Sequence, residues 1–437
     1  MSTALALLFL AAFLWALISN RDLFSPAKFY LFSFLVFHVG ALESWHAPEV
    51  WLLMMLVLLV GSVAVLFEAL QPLPRLMHRT RGRGGISQED PHTFHWLWLL
   101  SLPAILSQAY MIQFFGGLAG YLTVLAFRVV EWRGLGWAKT VIATMTTLNL
   151  VYLAVGLSRA RSRAWWCGYA LHFVIVLALG LLSGSRSSIL NVIAMQMFTY
   201  HYVRRAVNVR TAAVLAVSLV LSGLVLGVVR DSFRVGEDDF KTGLADADQI
   251  LSIPTLKYGV TPLDLLVEAG PLKLAYGSTL LSLFTNAVPR NWWPDKPDTG
   301  GVFFTKEYTG DEWEGASNLT PTILGEAVIN FGWLVGIPVF LIAYPALLYF
   351  VVRRYRRTQL RLRHAPGAVA SIDFVTYLLW MWAVVALMTG EVTNVILTTV
   401  LTGLLPAHVA RFLIKPRTTA RHARRGSGFA AHTTHAG

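Results

Sequence analysis

The chain alternates between long apolar runs and short polar bursts. Apolar runs occupy residues 4–18, 29–42, 50–70, 94–112, 137–157, 168–182, 188–202 and 212–229. After a long polar gap, three more occur at residues 321–350, 375–388 and 392–412. A helix needs about 20 residues to cross a hydrocarbon layer, so the shorter runs require their polar flanks to complete them. Inside a bilayer the backbone must satisfy its own hydrogen bonds, and no strand-like alternation appears, so each run reads as helix. The pattern predicts an all-α, polytopic membrane bundle of about 11 transmembrane helices. Residues 1–229 form its N-terminal bundle and residues 230–320 a large external loop with short helices. Residues 321–412 form the C-terminal spans, and residues 413–437 a basic, disordered tail.

The polar bursts orient these spans. Arg75, Arg79, Arg81 and Arg83 form one basic cluster, and Arg204, Arg205 and Arg210 another. Further clusters lie at residues 159–163 and 353–363, and in the tail at Lys415, Arg417, Arg421, Arg424 and Arg425. Counting spans puts every cluster on one side, which the positive-inside rule makes cytoplasmic. The 230–320 loop then faces outward, and the C-terminus inward. Residues 113–136 must not cross, or the later basic clusters would exchange sides. They read as an external re-entrant or amphipathic segment. No basic residue precedes the first run and Arg21 comes after it, a pattern of a first transmembrane helix and not of a cleaved signal peptide.

Composition supports the class. Of 437 residues, 55% are hydrophobic and only 14% charged, where soluble proteins carry about 25% charge. The net charge of +12 sits in bursts between apolar runs, which points to anionic lipid and away from nucleic acid. A single cysteine, Cys167, excludes an intrachain disulfide and a thiolate metal cluster. There is no phosphate-binding glycine loop and no dinucleotide fingerprint. No metal and no cofactor is expected. Ser183-Gly184-Ser185 comes after a helix and so does not form a nucleophile elbow.

Candidate chemistry begins with arginines on the side where arginine is scarce. Arg186 sits in Ser183-Gly184-Ser185-Arg186, a turn between two runs, and Arg230 and Arg234 lie just past another run. Arg290 precedes Asn291-Trp292-Trp293-Pro294-Asp295-Lys296-Pro297. Guanidinium groups there can bind a diphosphate through paired, charge-assisted bonds. They would stabilise the charge that gathers on a polyprenyl diphosphate leaving group. Simple ion pairing of Arg230 with Asp231, Arg234 with Glu237 and Arg290 with Asp295 is the alternative. Glu326, at the start of an apolar run, is costly to bury unpaired. It shares a helical face with Asn330 and Thr322. It is expected either to orient an arginine or to serve as a base. Glu391 and Asn394 are weaker candidates of the same kind. Trp292 and Trp293 offer flat platforms for sugar rings or interfacial anchors. The acidic residues Asp238, Asp239, Asp246, Asp248, Asp264, Asp311, Glu312 and Glu314 read as a solvated face. His38 and His172 read as hydrogen-bonded core residues.

Residues 289–297, Pro-Arg-Asn-Trp-Trp-Pro-Asp-Lys-Pro, resemble a stretch of the bacterial O-antigen and oligosaccharide repeat-unit polymerase family. Gly184-Ser185-Arg186 and Gly325-Glu326 with Asn330-Phe331-Gly332 are similar to two further elements of that family, in the same order. The Trp292-Trp293 pair is bulkier than is common there. The resemblance implies a GT-C-like bundle in the bacterial inner membrane with its active site facing the periplasm. The implied reaction moves a growing glycan from undecaprenyl diphosphate to the non-reducing end of another lipid-linked repeat unit. Arg186 and Arg290 would contact diphosphate or sugar, Glu326 would shape the site and Lys296 would assist. A chain-length regulator and a flippase of the same pathway are the implied protein partners, beside lipid-linked donor and acceptor and membrane lipids. An O-antigen ligase, using the same donor on a different acceptor, is one alternative. A lipid-linked oligosaccharide flippase or other transporter is another.

Overall fold

The computed structural model describes residues 1–20, 22–70, 91–125, 128–132, 134–215, 217–218, 254–286, 288, 292–310, 319–364 and 367–414. Among them every regular element is helical. The first nine helices are α1 (Ser2–Ser19), α2 (Pro26–His38), α3 (Pro48–Leu70), α4 (Pro91–Phe114), α5 (Leu118–Val124), α6 (Arg128–Glu131), α7 (Gly136–Ser158), α8 (Arg163–Leu182) and α9 (Arg186–Val203). Three short helices come next, α10 (Thr261–Glu268), α11 (Ser278–Thr285) and α12 (Gly300–Tyr308). The last are α13 (Thr322–His364), α14 (Ala368–Ala386), α15 (Val392–Thr398) and, after a π-helical turn Thr399–Leu404, α16 (Leu405–Ile414). Prolines open α2, α3 and α4 at a position where a missing N–H costs nothing, and Ser162 caps α8 by accepting from the Trp165 N–H at 3.3 Å.

Eight helical units among the described residues are long and apolar enough to cross a membrane. They are α1, α3, α4, α7, α8, α13, α14 and the Val392–Ile414 run that contains α15 and α16. The fold is therefore all-α and consistent with a polytopic membrane bundle, with eight such helices described where the apolar pattern predicts about 11. The difference has physical causes. The Pro26–Leu42 unit is shorter, and α9 carries Asn191, Gln196 and His201 among its apolar residues. Most of the 212–229 run lies outside the described residues, as do the basic residues of 72–83 and of the tail.

The helices α3, α7 and α14 are the most enclosed, and α1 and the Val392–Ile414 run lie at the periphery. Met111 near the end of α4 packs with Leu135 and Ala138 at the start of α7, and Tyr121 and Trp132 join them. The segment between α4 and α7 thus returns to the end of the bundle from which it left. It is fastened there by the Tyr121 hydroxyl, which donates to the Leu182 carbonyl at 2.7 Å.

Mid-way along four helices, polar side chains form one directed chain. The Tyr169 hydroxyl donates to Gln196 Oε1 at 2.9 Å, and Gln196 Nε2 donates to Asn149 Oδ1. Asn149 Nδ2 then meets His172 Nδ1 at 2.9 Å, and His172 Nε2 meets Ser101 Oγ at 2.8 Å. Because Ser101 Oγ spends its proton on the Leu97 carbonyl, His172 Nε2 must be the donor and Nδ1 the acceptor, a neutral imidazole. The links join α4, α7, α8 and α9 through groups that satisfy one another. His38 is likewise bonded, through Nδ1 to the Phe34 carbonyl at 2.9 Å.

One end of the bundle gathers cations. Asp373 of α14 lies 2.7 Å from Arg361 of α13 and 3.0 Å from Arg411 of α16. Nearby α13 carries Arg353, Arg356 and Arg357. The other end carries the α2–α3 connection with α10 docked on it. There Glu43 pairs with Lys257 at 2.8 Å, and the Gly259 N–H donates to the Phe37 carbonyl at 3.0 Å. Asp264, expected in a solvated acidic face, is held by His46 at 2.7 Å.

Asn149→Leu removes both a donor and an acceptor from the mid-bundle chain and strands the Gln196 amide and His172 Nδ1. Thermal unfolding of the detergent-solubilised variant is expected to show a loss of about 1–2 kcal/mol, and an unchanged midpoint would count against the chain as a helix fastener.

Candidate functional site

The end that carries α10 also assembles the carboxylate singled out from the sequence. Gly332 adopts φ 73° and ψ 172° inside α13, a conformation open to glycine and strained for other residues. It separates residues 322–331, buried along their length but for Phe331, from the long remainder of the helix. The backbone before α11 runs along this buried piece: the Ala275 N–H donates to the Ile329 carbonyl at 2.8 Å, and the Gly277 N–H to Asn330 Oδ1 at 2.9 Å.

That placement brings Thr279 over Glu326. The Thr279 hydroxyl donates to Glu326 Oε1 at 3.1 Å and accepts from Asn330 Nδ2 at 2.7 Å. The second Asn330 amide proton goes to the Glu326 carbonyl, also at 2.7 Å. Glu326 Oε2 accepts the Val392 N–H at 2.5 Å, at the first turn of α15. Glu326 is 1% exposed. Gly300, at the start of α12, lies against it: a Cβ there would stand 2.7 Å from Glu326 Oε1, so a side chain would force the carboxylate to shift. Thr393 fastens the same corner, donating to the Thr279 carbonyl at 3.0 Å and meeting Ser282 Oγ at 2.9 Å.

A second carboxylate completes the corner. Glu391 precedes α15 and accepts the Gly301 N–H at the start of α12. Glu326 and Glu391 thus each cap the N-terminal turn of a helix, where unpaired N–H groups and the helix dipole favour negative charge. Burial nevertheless pushes the Glu391 carboxyl above its ordinary value, and the Gly301 N–H and the Thr299 hydroxyl offset only part of that rise.

Of the residues singled out from the sequence, Glu326 and Asn330 meet through Thr279. Thr322 does not join them. It takes φ 63° and accepts the Gly325 N–H at 3.2 Å, so it caps the buried piece of α13. Lys296 donates to the Val288 carbonyl at 2.7 Å and the Asn286 carbonyl at 3.2 Å, bracing the chain that leaves α11. Trp292 is 82% exposed and Trp293 42%. Asn394 accepts from Thr398 of its own helix. Arg186 opens α9, where Arg128 of α6 lies against Gly184 of the preceding turn; the Arg186 side chain lies outside the described residues. So do Arg230, Arg234 and Arg290, together with Asp238, Asp239, Asp246, Asp248, Asp311, Glu312 and Glu314.

The side chains of the arginines that Glu326 is expected to orient lie outside the described residues. Among the described residues, a hydroxyl and a backbone N–H occupy its two oxygens. Sequence reasoning missed Thr279, Ser282, Thr393 and Gly300. The only signals were hydroxyl and glycine residues interrupting weakly apolar stretches. Among the described residues no group of His, Cys, Asp and Glu side chains is placed to hold a metal ion. Neither of the two described cavities, of about 400 and 420 Å³, is lined by Glu326 or Asn330. The chain matches no protein-family model, no curated protein and no solved structure.

Because the folded Glu391 carboxyl holds its proton more tightly than an unfolded one, its contribution to stability is complete at low pH. That contribution falls as pH rises above the ordinary value of 4.5. Glu391→Gln keeps an acceptor for Gly301 and carries no charge, so thermal midpoints measured from pH 4 to 8 should fall less for the variant than for the parent. Parallel curves would remove Glu391 from this linkage.

Proposed function

We propose that the chain is a membrane glycosyltransferase that polymerises undecaprenyl-diphosphate-linked repeat units into O-antigen or a related surface polysaccharide. The observation that carries this reading is the corner at Glu326. It fastens α11 and α12, which flank Trp292, Trp293 and Lys296, to the starts of α13 and α15 at one end of the bundle. These are the elements in which the chain resembles the repeat-unit polymerases. In this reading Glu326 and Asn330 are positioning residues, since their polar atoms are already committed. Arg290 and Arg186 hold the diphosphate, with Arg230, Arg234 and Lys296 in support. Trp292 and Trp293 supply exposed ring faces for sugar.

The bond that breaks joins the donor sugar to diphosphate, and the bond that forms joins that sugar to an acceptor hydroxyl. The hydroxyl proton leaves, and undecaprenyl diphosphate departs with the charge that guanidinium groups favour. The arginine-rich end around Asp373 faces the cytoplasm and the Glu326 end the periplasm, in accord with the positive-inside rule. About 11 spans in a GT-C-like bundle complete the proposal, with α2, α9 and the 212–229 run joining the eight. A flippase would need a polar path between the two faces. Among the described residues the mid-depth groups Tyr169, Gln196, Asn149, His172 and Ser101 are instead bonded to one another, which favours an enzyme over a transporter.

Purified protein incubated with lipid-linked repeat units, without nucleotide or metal, is expected to produce a ladder of glycan lengths. With lipid A core added as acceptor, transfer of glycan to its core sugar and no ladder would instead mark a ligase. Arg290→Ala should abolish the ladder while the variant still elutes as a single folded species; an undiminished ladder would take Arg290 out of the site. With Cys167 replaced by Ser, cysteines placed at 292 and 357 should react with impermeant maleimide from opposite sides of oriented vesicles. Reaction of both from one side would overturn the orientation.

A further inference from the structure

Near the Glu326 corner but separate from it, the connection between α2 and α3 brings a serine, a histidine and an aspartate into line. The Ser44 hydroxyl lies 3.2 Å from His46 Nε2, and His46 Nδ1 lies 2.7 Å from Asp264 Oδ1. Both distances fall in the range over which a base takes a proton from a nucleophile and is held by a carboxylate. Each group also has the exposure its part requires. Ser44 is exposed, His46 is buried, and the Asp264 carboxylate is mostly covered at 23% exposed. With Nδ1–H donating to Asp264, Nε2 keeps the lone pair that faces Ser44. Trp51 stands edge-on to the imidazole, with ring centroids 5.7 Å apart, and limits its rotation.

Asp264 owes its position to the fold. It sits in the first turn of α10, and Leu266 of that helix packs with Phe304 and Ile329. Ser44 and His46 line a cavity of about 400 Å³ along with Leu42, Trp45, Pro48 and Trp51. Met1, Ser2 and Ala41 complete its wall, which mixes polar groups with apolar and aromatic side chains. The backbone N–H groups of Ser44 and Trp45 donate to no partner among the described residues.

We propose that Ser44, His46 and Asp264 form a second active site, a serine esterase centre that acts on carboxylic esters of an acyl chain. The roles come from the geometry and not from chain order, which differs among unrelated enzymes with this arrangement. Ser44 Oγ bonds to the ester carbonyl carbon while its proton passes to His46 Nε2. Asp264 stabilises the imidazolium through Nδ1. The carbonyl C–O bond to the alcohol then breaks, and the leaving alkoxide takes the proton from Nε2 and departs as the alcohol. Water, deprotonated by Nε2, splits the acyl-Ser44 ester and releases the carboxylic acid, and the proton returns to Ser44 Oγ. Ester and water are consumed, alcohol and acid are formed, and no other reactant is needed. The acyl chain lies along Leu42, Trp45 and Trp51 in the open cavity.

The test uses the full-length protein in detergent, a fluorophosphonate probe and p-nitrophenyl octanoate. The probe is expected to label one serine, located at Ser44 by peptide mass spectrometry, and octanoate ester hydrolysis should disappear in Ser44→Ala. His46→Gln should slow both labelling and hydrolysis at least about 100-fold, the scale of general-base catalysis. Asp264→Asn should slow hydrolysis and leave Ser44 in place. Elution of each variant as a single species from a sizing column checks the fold, and Ser44→Ala changes only an exposed side chain. Absence of label at Ser44 in the folded parent overturns the proposal, as does labelling at an unchanged rate in His46→Gln.

Discussion

A carboxylate placed under an apolar surface must be met by donors from its own chain, and at Glu326 those donors come from elements far apart in sequence. Thr279 reaches it from α11 and the Val392 N–H from α15, and Asn330 holds Thr279 in place. Leaving such a group unmet costs about 1–3 kcal/mol for a neutral donor and more for a charge. The corner is therefore stable only as a unit, and its members must move together or not at all. The break at Gly332 frees residues 322–331 from the direction of the rest of α13, so that the carboxylate can face both α11 and α15. The segment between α11 and α12 inherits its position from this corner. Lys296 then braces the exit from α11, and the exposed indoles of Trp292 and Trp293 are carried on a segment fixed at both sides.

The opposite end solves the same problem with different partners. Asp373 is met by two guanidinium groups, and Asp22 by His201 Nε2 and the hydroxyls of Tyr202 and Tyr355. Burial alone would push the Asp22 carboxyl up; the His201 ring and the two phenols outweigh it and hold the group below its ordinary value. His201 can donate there because its Nδ1 already accepts the Val207 N–H at 3.0 Å. Cations thus concentrate around Asp373, whereas neutral hydroxyl and backbone donors satisfy Glu326 and Glu391. That chemical contrast between ends is the physical content behind the proposed orientation, since anionic headgroups favour the arginine-rich face.

Much of this bundle is readable from apolar run length alone. The eight long helices coincide with runs visible in the sequence, because a bilayer-length apolar segment has few other ways to satisfy its backbone. Glu326 and Asn330 are also readable, as polar residues four apart where polarity is costly. Their partners are not. Thr279 lies 47 residues from Glu326 in the chain, and a hydroxyl in a weakly apolar stretch carries no periodic signal. Gly332 reads as part of a helix entry, and its role as a break appears only with its dihedrals. Asp264 has the composition of a solvated loop, yet it sits 218 residues from the histidine that binds it. Pairings of this kind depend on how α10 docks, which tertiary packing decides.

Comparing the two carboxylates, Glu326 and Asp264, separates positioning from reactivity. Glu326 has both oxygens engaged by structural donors, and neither described cavity reaches it. Glu326 is also 1% exposed, so a substrate would have to open the corner to use it as a base. Asp264 engages a histidine whose other nitrogen faces an exposed hydroxyl, so a proton taken from that hydroxyl has somewhere to go. A carboxylate that acts through a partner needs that partner to be a proton carrier with a second, accessible contact. By that criterion Glu326 fits the positioning role proposed for it, while the geometry for proton transfer lies at Ser44. The mid-depth chain from Tyr169 to Ser101 points the same way, for it consumes interior polar groups and leaves reactive ones at the ends of the bundle.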